Sequence, residues 1–347
     1  MRLVVLALWF LGTWALIEHL LIFPARAGAG PNRDFVIELS CTPTLDEVAD
    51  ALAKAQVVTE RDKWLRSMRL LQTEAQLRKG WVAVNRAKSM IELMPRLLTN
   101  RGTSNVTLNI PEGFTRFDAA TRLERFGVTS RAEFLAASTQ PDLLARLDIP
   151  AASAEGYLFP ATYTLEQQSR GGAVVARMVA AFRNKTRDAF KRLAEARTSA
   201  PLVLSDHEAL TLASIVEREA QLPEERPIIA GVFVNRLADP TFRPHRLQAD
   251  PTVAYGCLVD RSSAPTCASF DGRRITKAMV RDPQNPYNTY RLEGLPPGPI
   301  SNPGLASLEA VIAPMPHDFF YFVASGGGRH SFSRTLDEHN TRIHGPR

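Results

Sequence analysis

The sequence lacks any long run of basic residues. Lys and Arg number 42 against 36 Asp and Glu, a net charge of +6, and basic stretches are as short as Arg78-Lys79 and Arg273-Arg274. Nothing here could track a phosphate backbone, which argues against nucleic acid as a partner. A mildly basic chain suits an anionic polymer or a membrane surface instead. Cysteine is scarce, with three residues, and no Cys/His cluster has zinc spacing, so neither a metal nor another cofactor is expected. There is no internal repeat, and no low-complexity tract beyond the short linker from Ala27 to Asn32. Apolar residues at 45% and charged residues at 22% exclude a disordered chain, a collagen-like chain and a multi-span membrane protein. A length of 347 residues predicts about two domains with a core that needs no staples.

One apolar run is present. Leu3 to Ile17 is apolar apart from Thr13; Glu18 and His19 interrupt, and Leu20 to Phe23 resumes. A bilayer span needs about 20 such residues. Residues 1–26 therefore read as a single-pass anchor crossing through 3–23, or as a signal segment cut near Ala25-Arg26-Ala27. Either way the rest of the chain lies outside the cytoplasm. In an oxidising compartment Cys257 and Cys267 could close a loop as a disulfide, the alternative being two free thiols.

The pattern beyond the linker is α+β. Phe35 to Leu39 reads as a strand, and Thr44-Leu45-Asp46-Glu47 as a capping box opening a helix. Ser89 to Leu98 is helical, Val106 to Ile110 alternates as a strand, and Val174 to Leu193 makes a long helix. Residues 34–105 form a small unit and 106–342 a larger one. Ser205-Asp206-His207-Glu208 is another capping box, and Ala209, Leu212, Ala213, Val216 and Ala220 continue from it as one apolar stripe. Glu217 lies about 80° to one side of that stripe and Glu219 about 80° to the other. The two cannot be acid and base of one glycosidase site, and at most one faces a cleft. Further on, the loops are rich in amide, phenol and carboxylate groups, held by Pro and Gly. Such groups suit sugar hydroxyls and acetamido groups.

These loops carry a resemblance. Glu155 to Tyr163 (EGYLFPATY), Leu212 to Glu219 (LASIVERE), Val234 to Leu237 (VNRL) and Leu247 to Gly256 (LQADPTVAYG) occur in order. Tyr287 to Tyr290 (YNTY), Gly294 to Gly304, Tyr321 to Ala324, His330-Ser331-Phe332 and His339-Asn340 follow. Over about 106–342 the chain resembles the MltG (YceG-like) family of bacterial endolytic murein transglycosylases. Residues 34–105 resemble the family's LysM-like subdomain more loosely, with Trp81 in Leu77-Arg78-Lys79-Gly80-Trp81 where Tyr is usual. The resemblance implies a small LysM-like subdomain and a larger mixed α+β catalytic domain behind one N-terminal membrane helix. It places the catalytic domain on the periplasmic or extracellular side of the inner membrane.

The activity so implied is cleavage of MurNAc–GlcNAc bonds inside peptidoglycan strands, leaving 1,6-anhydro-MurNAc ends, with Glu217 as general acid and then base. One carboxyl group suffices for both steps, because the sugar's own C6 hydroxyl replaces water. The acid role requires Glu217 to carry a proton near neutral pH, which predicts a partly apolar pocket around it. Glu155, Tyr163, Asn235, Gln248, Asp250, Tyr287, Asn288, Tyr290, Asn302 and His330 are the implied substrate contacts. Termination of nascent strands beside penicillin-binding proteins is the implied setting. Two rivals remain: a glycan hydrolase using Glu217 with Asp250, and a non-catalytic glycan-binding scaffold.

Overall fold

A computed structural model describes residues 34–39, 43–71, 73, 77, 80–99, 105–197, 202–262, 264–272 and 274–345, together with 13, 14, 17, 18, 22, 23 and 26. The expected anchor at 3–23 falls mostly outside these residues, as do Cys41 and Arg78-Lys79. Among the described residues no helix is long and apolar enough to cross a membrane. The chain forms two compact units. Met1–Leu108, Leu123–Thr129 and Thr164–Ser169 make the first; Asn109–Arg122, Ser130–Tyr163 and Arg170–Arg347 make the second.

In the first unit β1 (Asp34–Leu39) and β2 (Gly80–Asn85) pair antiparallel, Asp34 opposite Asn85 and Leu39 opposite Gly80. Between them run α1 (Leu45–Lys54) and α2 (Arg61–Leu70). The N-cap half of the expected box is present: Glu47 N donates to Thr44 Oγ1 at 3.2 Å. Ile37, Leu39, Val82 and Val84, alternate residues of the two strands, face one core. Leu45, Val48, Ala49 and Leu52 of α1 fill it with Trp64, Leu65 and Met68 of α2. Met90, Leu93 and Leu97 of α3 (Met90–Thr99) complete it.

The chain continues through β3 (Asn105–Asn109), α4 (Arg116–Arg125), α5 (Arg131–Ala137), α6 (Pro141–Arg146) and β4 (Thr162–Glu166), with β3 and β4 paired. The long helix expected from the periodicity is α7 (Gly171–Ala196). Next come α8 (Asp206–Glu219), α9 (Arg226–Ala238), α10 (Asp250–Val259), α11 (Lys277–Arg281) and α12 (Leu305–Ile312). A hairpin of β5 (Tyr321–Gly326) and β6 (Arg329–Ser333) precedes α13 (Leu336–His344). The architecture is mixed α+β, with small sheets and many helices. One segment departs from expectation. The Leu247 to Gly256 stretch, read among the polar loops, opens α10 at Asp250, because Pro251 is at home in the first turn of a helix.

The core of the second unit is built around α8. Its capping box forms in full, with Glu208 N on Ser205 Oγ at 3.2 Å and Ser205 N on Glu208 Oε2 at 2.8 Å. The apolar stripe understates its burial. Every residue from Ala209 to Val216 is buried, because α9 and α12 cover faces that a surface helix would leave wet. Ala209, Leu212, Ala213 and Val216 share this core with Ile229, Phe233, Leu308 and Val311.

Candidate active site

The last turn of α8 leaves the core and splits its two carboxylates. Glu217 turns toward the N-terminus of α12. Its Oε2 accepts from Gly304 N at 3.0 Å and from Ser307 Oγ at 2.7 Å, and Arg226 Nη2 reaches Oε1 at 3.5 Å. The carboxylate sits where the helix dipole of α12 and its free amides favour negative charge. The surroundings are thus polar donors rather than the apolar pocket expected. Glu112 Oε2 lies 3.9 Å from the same Arg226 Nη2, a neighbour the sequence reading missed because 105 residues separate it from Glu217. Burial and the charge of Glu217 hold Glu112 above the usual carboxylate range.

Glu219 faces the other way and is partly buried. It makes no hydrogen bond or ion pair among the described residues. Burial pushes its carboxyl up to about 7, and the charge of Asp250 adds to the rise against the opposing pull of Arg236 and Arg218. Arg236 is buried beneath, donating through Nε to Phe320 O at 2.7 Å and through Nη1 to Leu247 O. Its own burial pulls it down to about 10. Asp250 is exposed and its Oδ1 accepts from Tyr290 Oη at 2.6 Å. Between these anchors stands Gln248, exposed and in the left-handed region at φ 54°.

The expected substrate contacts therefore divide. Asp250 and Tyr290 lie on Glu219's side, with Gln248 two residues before Asp250 in the chain. Four others are corrected to internal struts, since burial removes them from any sugar. Glu155 is 1% exposed. It accepts from Arg116 N at 2.9 Å, Asn302 Nδ2 at 2.7 Å and Tyr255 Oη at 3.0 Å. Burial pushes its carboxyl up to about 7, against the backbone bond from Arg116. Asn302 Oδ1 accepts from Gly156 N at 2.9 Å and Leu158 N at 3.0 Å, so it ties the 294–304 loop to the 155–158 turn. Asn288 spends its amide on the carbonyls of Met279, Val280 and Asp282. Tyr163 Oη donates to Phe159 O at 2.6 Å.

Three more are partly buried. Asn235 Nδ2 donates to His317 O at 2.9 Å and Phe319 O at 3.0 Å. His330 Nδ1 lies 2.7 Å from Glu225 Oε2. Tyr287 packs edge-on against Tyr255, with ring centroids 5.0 Å apart. Cys257 and Cys267 are joined as a disulfide with Cα atoms 5.0 Å apart, inside a small cluster with Val253, Phe270 and Met279. No group of three or more metal-ligating side chains occurs among the described residues.

The YceG-like family matches residues 37–344. An endolytic murein transglycosylase of Bacillus subtilis is 35% identical over 188 residues, 54% of this chain and 46% of that protein. One from Streptococcus pneumoniae serotype 2 is 29% identical over 296 residues, 77% of this chain and 50% of that protein. The chain thus spans about half the length of the curated relatives it matches. The crystal structure of a YceG-like protein from Listeria monocytogenes superposes with a TM-score of 0.59 at 27% identity. That match covers 89% of this chain and 98% of the other. With the match running from the first strand to the last helix, the chain belongs to the YceG-like family.

Proposed function

We propose that this chain is an endolytic lytic transglycosylase that cuts MurNAc–GlcNAc bonds within peptidoglycan strands and leaves 1,6-anhydro-MurNAc ends. The names of its relatives support the reaction. The observation that carries the site is Glu219: a carboxyl without a hydrogen-bond partner among the described residues, pushed up to about 7 by burial, on the side of α8 that faces the bonded pair Asp250 and Tyr290. We therefore assign the acid–base role to Glu219, with Glu217 as the rival. In this mechanism protonated Glu219 gives its proton to the glycosidic oxygen as the C1–O bond breaks. The C6 hydroxyl of the same sugar then bonds to C1 and returns its proton to the carboxylate. No water is consumed.

A second reading keeps the same acid. Asp250, exposed near Glu219, could activate a water and make the enzyme a hydrolase. Product mass separates the two, since the anhydro end is lighter by one water. The first unit, with its β1-α1-α2-β2 order, would act as the LysM-like glycan holder. Residues 3–23 would anchor the chain in the inner membrane beside penicillin-binding proteins, where cleavage terminates new strands. The test is a digest of purified peptidoglycan read by mass spectrometry with Glu217→Gln and Glu219→Gln. Anhydro ends from the parent and E217Q, but not from E219Q, are expected. Loss in E217Q alone returns the role to Glu217. Reducing ends favour the hydrolase, and binding without cleavage favours a scaffold.

A further inference from the structure

Gln248 is in a conformation its side chain does not favour. At φ 54° a Cβ crowds the following carbonyl oxygen, and Gln has no local hydrogen bond to offset this as Asn or Asp would. The strain is imposed from outside. Leu247 and Ala249 on either side are 0% and 2% exposed. Gln248 N donates to Thr289 O at 3.1 Å, and Ala249 N to Thr289 Oγ1 at 3.0 Å. Arg236 Nη1 holds Leu247 O, and Thr252 Oγ1 holds Ala249 O at 2.7 Å. Four bonds and two buried side chains thus force one exposed residue out of the segment that carries Asp250. Its side chain makes no hydrogen bond among the described residues, while Arg236, which holds Leu247 O, and Asp250, two residues on, both act on the charge of Glu219. A glycine would satisfy this backbone at no steric cost. A glutamine there spends stability on a fixed backbone from which an exposed primary amide projects, two residues before Asp250.

Resting on the glycan-cleaving reading above, we infer that Gln248 is a specificity-determining residue whose amide pairs with the acetamido group of the sugar at the scissile bond. Nε2 donates to the acetamido carbonyl and Oε1 accepts from its N–H, a reciprocal pair that a hydroxyl or an amine cannot complete. A site that expects this partner discriminates strongly against a sugar lacking it.

The experiment uses the full-length chain carrying E219Q, so that binding is read without cleavage. Affinity is measured for native glycan strands and for the same strands de-N-acetylated, with Gln248 intact and with Gln248→Gly or Gln248→Asn. Native strands are expected to lose about tenfold in affinity for either variant, a step of about 1.4 kcal/mol, while de-N-acetylated strands change by less than about twofold. Q248G is expected to raise the thermal midpoint by about 2 °C or more as the strain is relieved. Equal losses on both strands, or unchanged native affinity, would overturn the inference. So would a lower midpoint for Q248G. The products of the parent chain test the cleavage reading separately: if it cuts nothing while the binding contrast holds, that reading fails, and Gln248 keeps the acetamido pairing alone, with no scissile bond to set it against.

Discussion

Glu217 and Glu219 are two positions apart, yet the tertiary fold treats them differently. Glu217 serves as an anchor for the 294–304 loop through Gly304 N and Ser307 Oγ. Replacing it by Gln turns an N–H toward Arg226 and weakens charge-assisted bonds, so E217Q is expected to lose about 2 kcal/mol of stability in thermal unfolding. Its turnover should stay within about tenfold of the parent. E219Q should do the opposite, with kcat down about 10³-fold and the unfolding midpoint held or raised, because a neutral amide is cheaper to bury. The pH profile follows from the same group. Glu219 must be protonated to act, so activity falls as pH rises through about 7. Asp250's charge is one cause of that value. Asp250→Asn is therefore expected to move the alkaline limb of the kcat/KM profile to lower pH. A limb that stays in place, or moves up, would remove Asp250 from the field of the acid.

At the scale of elements, α8 carries both the core and the site, and its ends are set by different physics. The N-terminal capping box is local and was legible as Ser205-Asp206-His207-Glu208. Ser205→Ala should cost about 1 kcal/mol, read as a lower unfolding midpoint, with little change in cleavage because the cap is a full helix length from Glu219. The burial of its whole circumference was not legible. Leu210, Thr211, Ser214 and Ile215 lie off the stripe, and only the arrival of α9, α12 and the 294–304 loop covers them. The cap of α1 at Thr44 was equally local. The helical state of Asp250–Val259 was not, since Asp-Pro opens a turn and a helix alike. The disulfide pins the end of α10 to the loop beyond. Cys267→Ser is expected to lower the stability of the second unit by about 2–3 kcal/mol, checked by denaturation with and without reductant.

Over the whole molecule, the buried carboxyls set how stability depends on pH. Glu155 is held at about 7 by burial, above its unfolded value of 4.5, so the folded state binds its proton more tightly than the unfolded state. That contribution is complete below pH 4.5 and is lost as pH rises through 7, a span worth roughly 3 kcal/mol. Glu219 acts in the same direction. Glu155→Gln should flatten the slope of unfolding free energy between these pH values by the share of Glu155, while Glu219 and Glu112, also raised, keep theirs. An unchanged slope would show that Glu155 stays charged in its nest of donors.

The residues alone determined the mixed α+β class, the capped starts of α1 and α8, the long α7, the motifs of the YceG-like family and the divergence of Glu217 from Glu219. All of these rest on interactions spanning a few residues or on order along the chain. Only the tertiary structure decided which carboxylate is anchored and which is left open. The partners of Glu217 at Gly304 and Ser307 are 87 and 90 residues away. Asp250 and Arg236, which set the environment of Glu219, come from α10 and α9. The same holds for Glu155 and Asn302, which read as sugar contacts and are sealed inside by bonds to each other 147 residues apart. It holds again for Gln248, whose left-handed backbone no local preference of glutamine would select. Burial and electrostatic fields sum over everything packed nearby, and helical periodicity reports only the direction in which a side chain leaves its own helix.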